Sequence, residues 1–259
     1  MMLDFTISNN DYHAHKALSS SNLKDLLISA WSFAYNKKFP KQFTQAMQLG
    51  TLAHSLILEP EKIEEEFFVA EKPKRTSKAG KEEYNRLLIE ANNRIWISPS
   101  EFSECEAMIA PVLKNKLATT LLSGGNAEVS TFWAQDNIHC KARADYINFN
   151  HNYIVDVKTT ASLANEQSFL KTIEKYNYDL SASFYCDGFK NSTGKEFDFF
   201  FIVIEKQAPY NYGIYKLSDN LLHKGRLKYL QALENYKQAK LLDNFESPYN
   251  DGQLIELVA

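Results

Sequence analysis

The chain has 259 residues, 44% of them hydrophobic and 24% charged, which suits one large domain, or a core with a helical subdomain, of an ordinary globular protein. No apolar run reaches membrane-spanning length, and the opening Met-Met-Leu-Asp-Phe-Thr-Ile-Ser lacks a basic start and an apolar core, so the expected setting is cytoplasmic, without a membrane partner. A net charge of −3 decides nothing about nucleic acid, and Cys105, Cys140 and Cys186, with no C-x-x-C pair, argue against a disulfide framework or a zinc site.

Ser19-Ser20-Ser21 can cap a helix over 22–37, with Leu23, Leu26, Leu27, Ala30, Trp31 and Ala34 as its apolar stripe. A second helix, over 45–58, stops at Glu59-Pro60 and carries His54. Gly50 and Thr51 lie one turn behind that histidine, and Ile57 and Leu58 one turn ahead. By itself, a histidine on such a stripe is more often a hydrogen-bonded core residue than a ligand. Gly50 costs about 1 kcal/mol of helix stability relative to alanine, which points to close approach by another group.

Helices over 61–69 and 77–93 follow. Six glutamates across 59–71 give way to Lys72, Lys74, Arg75, Lys78 and Lys81, with Thr76, Ser77 and Gly80 among them. Such a segment can contact phosphates, or merely offset the acidic helix before it. The capping box Ser98-Pro99-Ser100-Glu101 opens a long helix towards Leu122, and Gly124-Gly125 stops it.

From Ala127 the period changes. Strands are expected over 128–134, 138–149 and 153–159, the first two joined by the turn Gln135-Asp136-Asn137. Helices over 165–176 and 180–189, strands over 197–205 and 212–217, and a closing helix over 219–242 complete the order. It predicts an α/β (mixed α+β) fold with a central mixed sheet flanked by helices, the apolar strand 197–204 lying mid-sheet. Composition divides the chain into a helical part, 1–125, and a sheet-bearing part, 126–259, which can share one core.

Chemistry concentrates in the stretch holding Asp145, Asp156 and Lys158. If Asn150 and His151 form a two-residue turn, Phe149 pairs with Asn152, and counting outward sets Asp145 opposite Asp156. Alternation puts Lys158 on the same face, and Ala144, Tyr146, Val155 and Val157 on the other. Two acids and an amine on an otherwise apolar strand pair admit two readings. One is an Asp–Lys ion pair with the second acid solvated; the other is a hard divalent cation, Mg2+ or Mn2+, held at a phosphodiester.

Four collinear stretches carry a resemblance to the PD-(D/E)xK nuclease superfamily, within the branch of the exodeoxyribonuclease VIII (RecE) C-terminal nuclease and the RecB-type nucleases. They are Tyr12-His13-Ala14 with Ser20-Ser21-Asn22-Leu23, the run from Ala46 through Gly50-Thr51-Leu52-Ala53-His54 to Pro60, Lys141-Ala142-Arg143-Ala144-Asp145, and Ile154-Val155-Asp156-Val157-Lys158-Thr159-Thr160. Arg75-Thr76 with Ala79-Gly80-Lys81 is a weaker fifth. The resemblance implies a restriction-endonuclease-like core, a metal site of His54, Asp145 and Asp156, Lys158 positioning the attacking water, and Glu128 as an additional catalytic acid. It implies an exonuclease acting on double-stranded DNA ends, 5′ to 3′, in phage-type or bacterial recombination, with a single-strand annealing protein as partner and a ring-like trimer or tetramer as assembly.

Arg75, Lys78, Lys81, Ser181 and Tyr185 are the expected DNA contacts. Similar sequences carry Tyr-x-x-Gln-x-x-x-Tyr after the catalytic strand, whereas here serine, Ser181, replaces the glutamine between Tyr178 and Tyr185. That departure keeps open a non-catalytic DNA-binding protein. An endonuclease or flap nuclease on the same scaffold is a further alternative.

Overall fold

A computed structural model of the chain describes residues 2–40 and 44–246. The end of the expected sheet-bearing part, 247–259, lies outside the described residues. In chain order the elements are β1 (Met2–Asp4), α1 (Asn9–Ala14), α2 (Ser20–Ile28), α3 (Ala30–Lys38), α4 (Gln45–Leu58), α5 (Ile63–Glu66), β2 (Phe67–Val69), α6 (Lys78–Ala91), β3 (Ile95–Ile97), α7 (Pro99–Leu113) and α8 (Lys116–Leu121). The sheet-bearing part then contributes β4 (Asn126–Gln135), β5 (Ile138–Asn148), β6 (Tyr153–Thr160), α9 (Glu166–Tyr176), α10 (Tyr178–Thr193), β7 (Asp198–Glu205), β8 (Tyr212–Lys216) and α11 (Asp219–Leu242).

Six strands form one mixed sheet in the order β1-β4-β5-β6-β7-β8, with β6 and β7 parallel and the other neighbours antiparallel. Strand β7 is apolar on both faces because both are covered. On one side Ile202 and Ile204 join Tyr146, Val155 and Val157 under Leu52 and Ala53 of α4 and Met108, Ile109 and Val112 of α7. On the other, Phe199, Phe201 and Val203 join Val129, Ala144, Ile147 and Ile154 under α9 and α10. The first cluster thus draws residues from both sides of Gly124. Burying a side chain such as Phe201 contributes about 2–3 kcal/mol, so these two layers fix the sheet on which the site is built.

Departures from the expected elements have local causes. The helix expected over 22–37 breaks at Ser29, whose hydroxyl accepts the Ser32 N–H at 3.0 Å and starts α3 afresh. Asn115 does the same to the helix expected over 98–122, accepting the Ala118 N–H at 2.9 Å. The second half of the helix expected over 61–69 is instead β2, which pairs in parallel with β3 from Phe67↔Ile95 to Val69↔Ile97. Strand β1, unforeseen, pairs with β4. The three cysteines are free and buried.

Asp136 and Asn137 adopt the left-handed conformation that a two-residue hairpin turn requires, closing β4 onto β5 at Gln135↔Ile138. The β5–β6 connection is longer than the Asn150-His151 turn expected. Asn148 is the last paired residue, and its side-chain oxygen accepts the N–H groups of Asn150 and His151 at 3.0 and 2.9 Å. The register is nonetheless the expected one, Asn148↔Tyr153.

Candidate active site

The β5–β6 ladder runs through Asn148↔Tyr153, Ile147↔Ile154 and Tyr146↔Val155 and then opens. The next pair in this register would be Asp145 with Asp156. Instead the Asp145 carboxylate turns into the gap and accepts the Val157 N–H at 2.9 Å. On its other side, β5 pairs with β4 at Ala127↔Tyr146 and again at Val129↔Ala144, skipping Glu128 and Asp145.

Glu128 has a φ of 52°, a left-handed conformation inside a strand, which costs about 1 kcal/mol or more for a side-chain-bearing residue. Both strands change face there. Ala127 and Tyr146 pack under α4 and α7, whereas Val129 and Ala144 pack under α9 and α10. Ala144 therefore does not share the face of Tyr146, Val155 and Val157 as strict alternation predicts, because the kink at Glu128 interrupts it.

His54 arrives from α4, whose start is capped by Thr44 accepting the Met47 N–H at 3.3 Å. Its Nε2 meets the carbonyl oxygen of Val157 at 2.5 Å. A carbonyl can only accept, so Nε2 carries a proton and Nδ1, 3.5 Å from Asp145 Oδ2, is the ring nitrogen that a neutral imidazole can offer to a cation. One ligand atom each from His54, Glu128 and Asp145 lie within 4.8 Å of one another.

This donor set fits a divalent cation. Burial pushes the Glu128 carboxyl up to about 8, with Asp145 reinforcing the shift, and only the Arg143 guanidinium, 3.9 Å away, opposes it. Two converging carboxylates and an imidazole lone pair are arranged to share a positive ion. The close approach expected at Gly50 is modest, since an added Cβ would stand 3.5 Å from Thr159 Oγ1, an ordinary contact. Gly50 lines the cleft beside His54 instead.

Asp156 stands apart from the trio. It is 5% exposed and forms an ion pair with Lys158, while its Oδ2 has no well-directed hydrogen bond. Burial pushes this carboxyl up to about 6 against the pull of Lys158, which leaves it ionised at neutral pH. Burial acts to lower the Lys158 amine, but Asp156 and Asp145 outweigh it and hold the amine protonated. The expected metal set His54, Asp145 and Asp156 is thus brought together only in part: Glu128 converges on His54 and Asp145, and Asp156 faces the lysine.

Two clefts, about 690 and 480 Å³, meet at Glu128 and Arg143. His54, Lys158, Gly50 and Thr51 line the first; Asp145, Tyr185 and the serines 19–21 at the start of α2 line the second. The segment 5–15 walls both. Buried Lys141 anchors it by donating to the carbonyls of Tyr12, His13 and His15, at 2.5, 3.4 and 2.8 Å. Arg143 donates to Ile7 O at 3.0 Å and to Ser130 Oγ at 2.8 Å, its guanidinium 4.2 Å from the Tyr12 ring centre. The sequence signal was present in Lys141-Ala142-Arg143-Ala144, where two cations alternate with alanines on a strand otherwise meant for burial.

Of the expected DNA contacts, Tyr185 lies at the site, accepting a hydrogen bond from Ser20 at 3.5 Å. Burial pushes its phenol up to about 12, with Asp156 and Asp145 adding to the effect. Ser181 is half-buried one turn earlier on α10. Arg75, stacked 4.7 Å from the Tyr84 ring, Lys78, 3.9 Å from Glu82, and Lys81 line neither cleft.

A family model described as "PDDEXK-like domain of unknown function (DUF3799)" matches residues 19–250. The solved structure of a candidate exonuclease from Eubacterium rectale superposes with a TM-score of 0.65 at 14% identity, covering 99% of this chain and 97% of that one. That likeness shows a shared fold, the restriction-endonuclease-like sheet flanked by helices. The structure of SSO0001, at 15% identity over 78% of this chain and 89% of its own, has a TM-score of 0.33, too low to bear on either. No curated protein sequence matches the chain. Among the described residues no helix is long and apolar enough to cross a membrane.

Proposed function

The chain belongs to the PDDEXK-like DUF3799 family, and from that premise we propose that it is a metal-dependent deoxyribonuclease, an exonuclease acting on the ends of linear double-stranded DNA. The observation that carries this reading is the convergence of His54, Glu128 and Asp145 at an opened ladder, with the Lys158 ammonium on the adjoining strand. His54, Glu128 and Asp145 would hold Mg2+ or Mn2+, and the imidazole makes Mn2+ at least as effective as Mg2+. Such an ion supplies positive charge that activates water and offsets the charge building on the phosphoryl oxygens.

The protein's own residues do the rest. Lys158, kept protonated and lining the cleft, orients the incoming water and stabilises the developing anion. Asp156 holds that ammonium in place. Tyr185 and Ser181 contact the DNA near the cut, and Arg75, Lys78 and Lys81 contact its backbone further away.

A 5′ to 3′ direction, a recombination role with a single-strand annealing partner, a ring-like trimer or tetramer, and a cytoplasmic setting rest on the resemblance to the RecE-type nucleases. Linear and circular duplexes, with and without 5′ phosphate, test the activity on one gel with Mg2+ or Mn2+. Loss of linear DNA alone is the expected result. Cutting of circles would make the protein an endonuclease, and no loss in either metal would make it a DNA-binding protein on a nuclease fold.

A further inference from the structure

Beside the Asp156–Lys158 pair stands an ammonium group without a carboxylate of its own. Lys24, from the middle of α2, is half-buried with its Nζ 5.0 Å from the centre of the Tyr178 ring, and Lys158 Nζ lies 5.6 Å from the same centre. The acids that act on Lys24 are Asp156 and Asp179. Each is already engaged: Asp156 pairs with Lys158, and Asp179 pairs with Lys228 of α11 at 2.7 Å. Among the described residues no carboxylate lies within ion-pair reach of Lys24.

An ammonium drawn from water beside a second ammonium, with only an aromatic face as neighbour, is costly unless an anion completes its surroundings. Burial, reinforced by Lys158, pushes the Lys24 amine down to about 8, which expresses the same deficit. Leu23 and Leu26 flank Lys24 on α2 and are fully buried in one cluster with Leu180 and Phe184 of α10, so the stretch of helix that carries the lysine is held against α10.

We propose that Lys24, which lies outside the two clefts but shares the Tyr178 ring with Lys158, is a substrate-contacting residue at the edge of this site, its ammonium taking a phosphate of the bound DNA strand next to the one that Lys158 serves. This rests on the nuclease reading above and adds to it a residue outside the motifs that carry the resemblance. It also adds a cation beside Tyr178, on the helix that carries the short Ser181.

The test is binding of a fluorescent linear duplex by anisotropy in EDTA, over a salt series, for the parent protein, Lys24→Met and Lys24→Arg. Lys24→Met is expected to weaken binding about tenfold and to lower the log–log salt slope by about one phosphate contact, with Lys24→Arg restoring most of both. In the unaltered protein, DNA should also protect Lys24 from acylation, read by peptide mass spectrometry. Parent-like affinity and slope in Lys24→Met, or equal labelling with and without DNA, overturns the assignment while leaving the nuclease reading standing. A parent protein that neither binds nor cuts duplex DNA overturns both.

Discussion

Strand β6 meets its two neighbours differently. Against β7 it pairs at eight successive residues, from Tyr153↔Asp198 to Thr160↔Glu205; against β5 it pairs at three, and the ladder opens at Asp145. A strand residue points its N–H and C=O to the same edge, so the opening would leave both groups of Val157 without partners. The Asp145 carboxylate takes the N–H and the His54 imidazole takes the carbonyl. The same two side chains that close the backbone account also present ligand atoms to the gap. The closed edge is thus held by a continuous ladder, and the open edge presents the candidate site while both backbone groups of Val157 stay hydrogen-bonded.

Several changes test that division, beginning with the largest. Lys158→Ala should cut single-turnover cleavage of linear duplex by about 10³-fold while duplex affinity stays within a few fold, since it removes a charge needed at the reacting phosphate. Parent-like cleavage would end the lysine's role. On the closed edge, Phe201→Ala should cost about 3–5 kcal/mol in urea unfolding and leave Mn2+ affinity of the folded protein unchanged. A metal-affinity loss there would show that the two edges are not separable.

Asp145→Ala should destabilise the metal-free protein by about 1–3 kcal/mol because the Val157 N–H loses its acceptor, whereas Glu128→Gln should weaken metal binding with little change in metal-free stability. Equal destabilisation by the two would contradict the dual use of Asp145.

A smaller effect follows from pH. The Glu128 carboxyl is raised to about 8 in the folded protein, so its contribution to metal-free stability is full below the ordinary carboxylate range and is lost as pH rises towards 8. A cation binds the ionised form. The rise in melting temperature on adding Mn2+ should therefore be greater near pH 8 than at a pH about two units lower. A shift independent of pH would remove Glu128 from the metal set. Least in size, Lys78→Gln with Lys81→Gln should lower the salt slope of DNA binding by about one for each lost contact. An unchanged slope would return α6 to a solvated helix.

The register was legible because turn-forming Asn150-His151-Asn152 and the two-residue period on either side allow few pairings, and a loop longer than expected leaves Asn148↔Tyr153 unaltered. The opening was not legible. It lies beside a left-handed backbone at Glu128 on the neighbouring strand, and no glycine marks that position in the sequence. Alternation therefore groups Asp156 with Asp145 and leaves Glu128 at a strand start, whereas the fold brings ligand atoms of Glu128, His54 and Asp145 within 4.8 Å of one another. Lys24 was invisible for another reason: on a helix stripe it reads as a solvated face residue, and only the packing of α2 on α10 brings it beside Tyr178 and Lys158. Ser29 and Asn115 show the converse, polar residues inside apolar periods whose capping chemistry could have divided two long helices.

Lys141 reaches back 129 residues to grip the Tyr12 carbonyl, and Arg143 spans 136 to reach Ile7. The register of the hairpin bearing Asp145 and Asp156 is set within that hairpin, whereas the walls of both chambers depend on this distant strap. A molecule with residues 5–15 undocked would keep its acids in place and show them to bulk water.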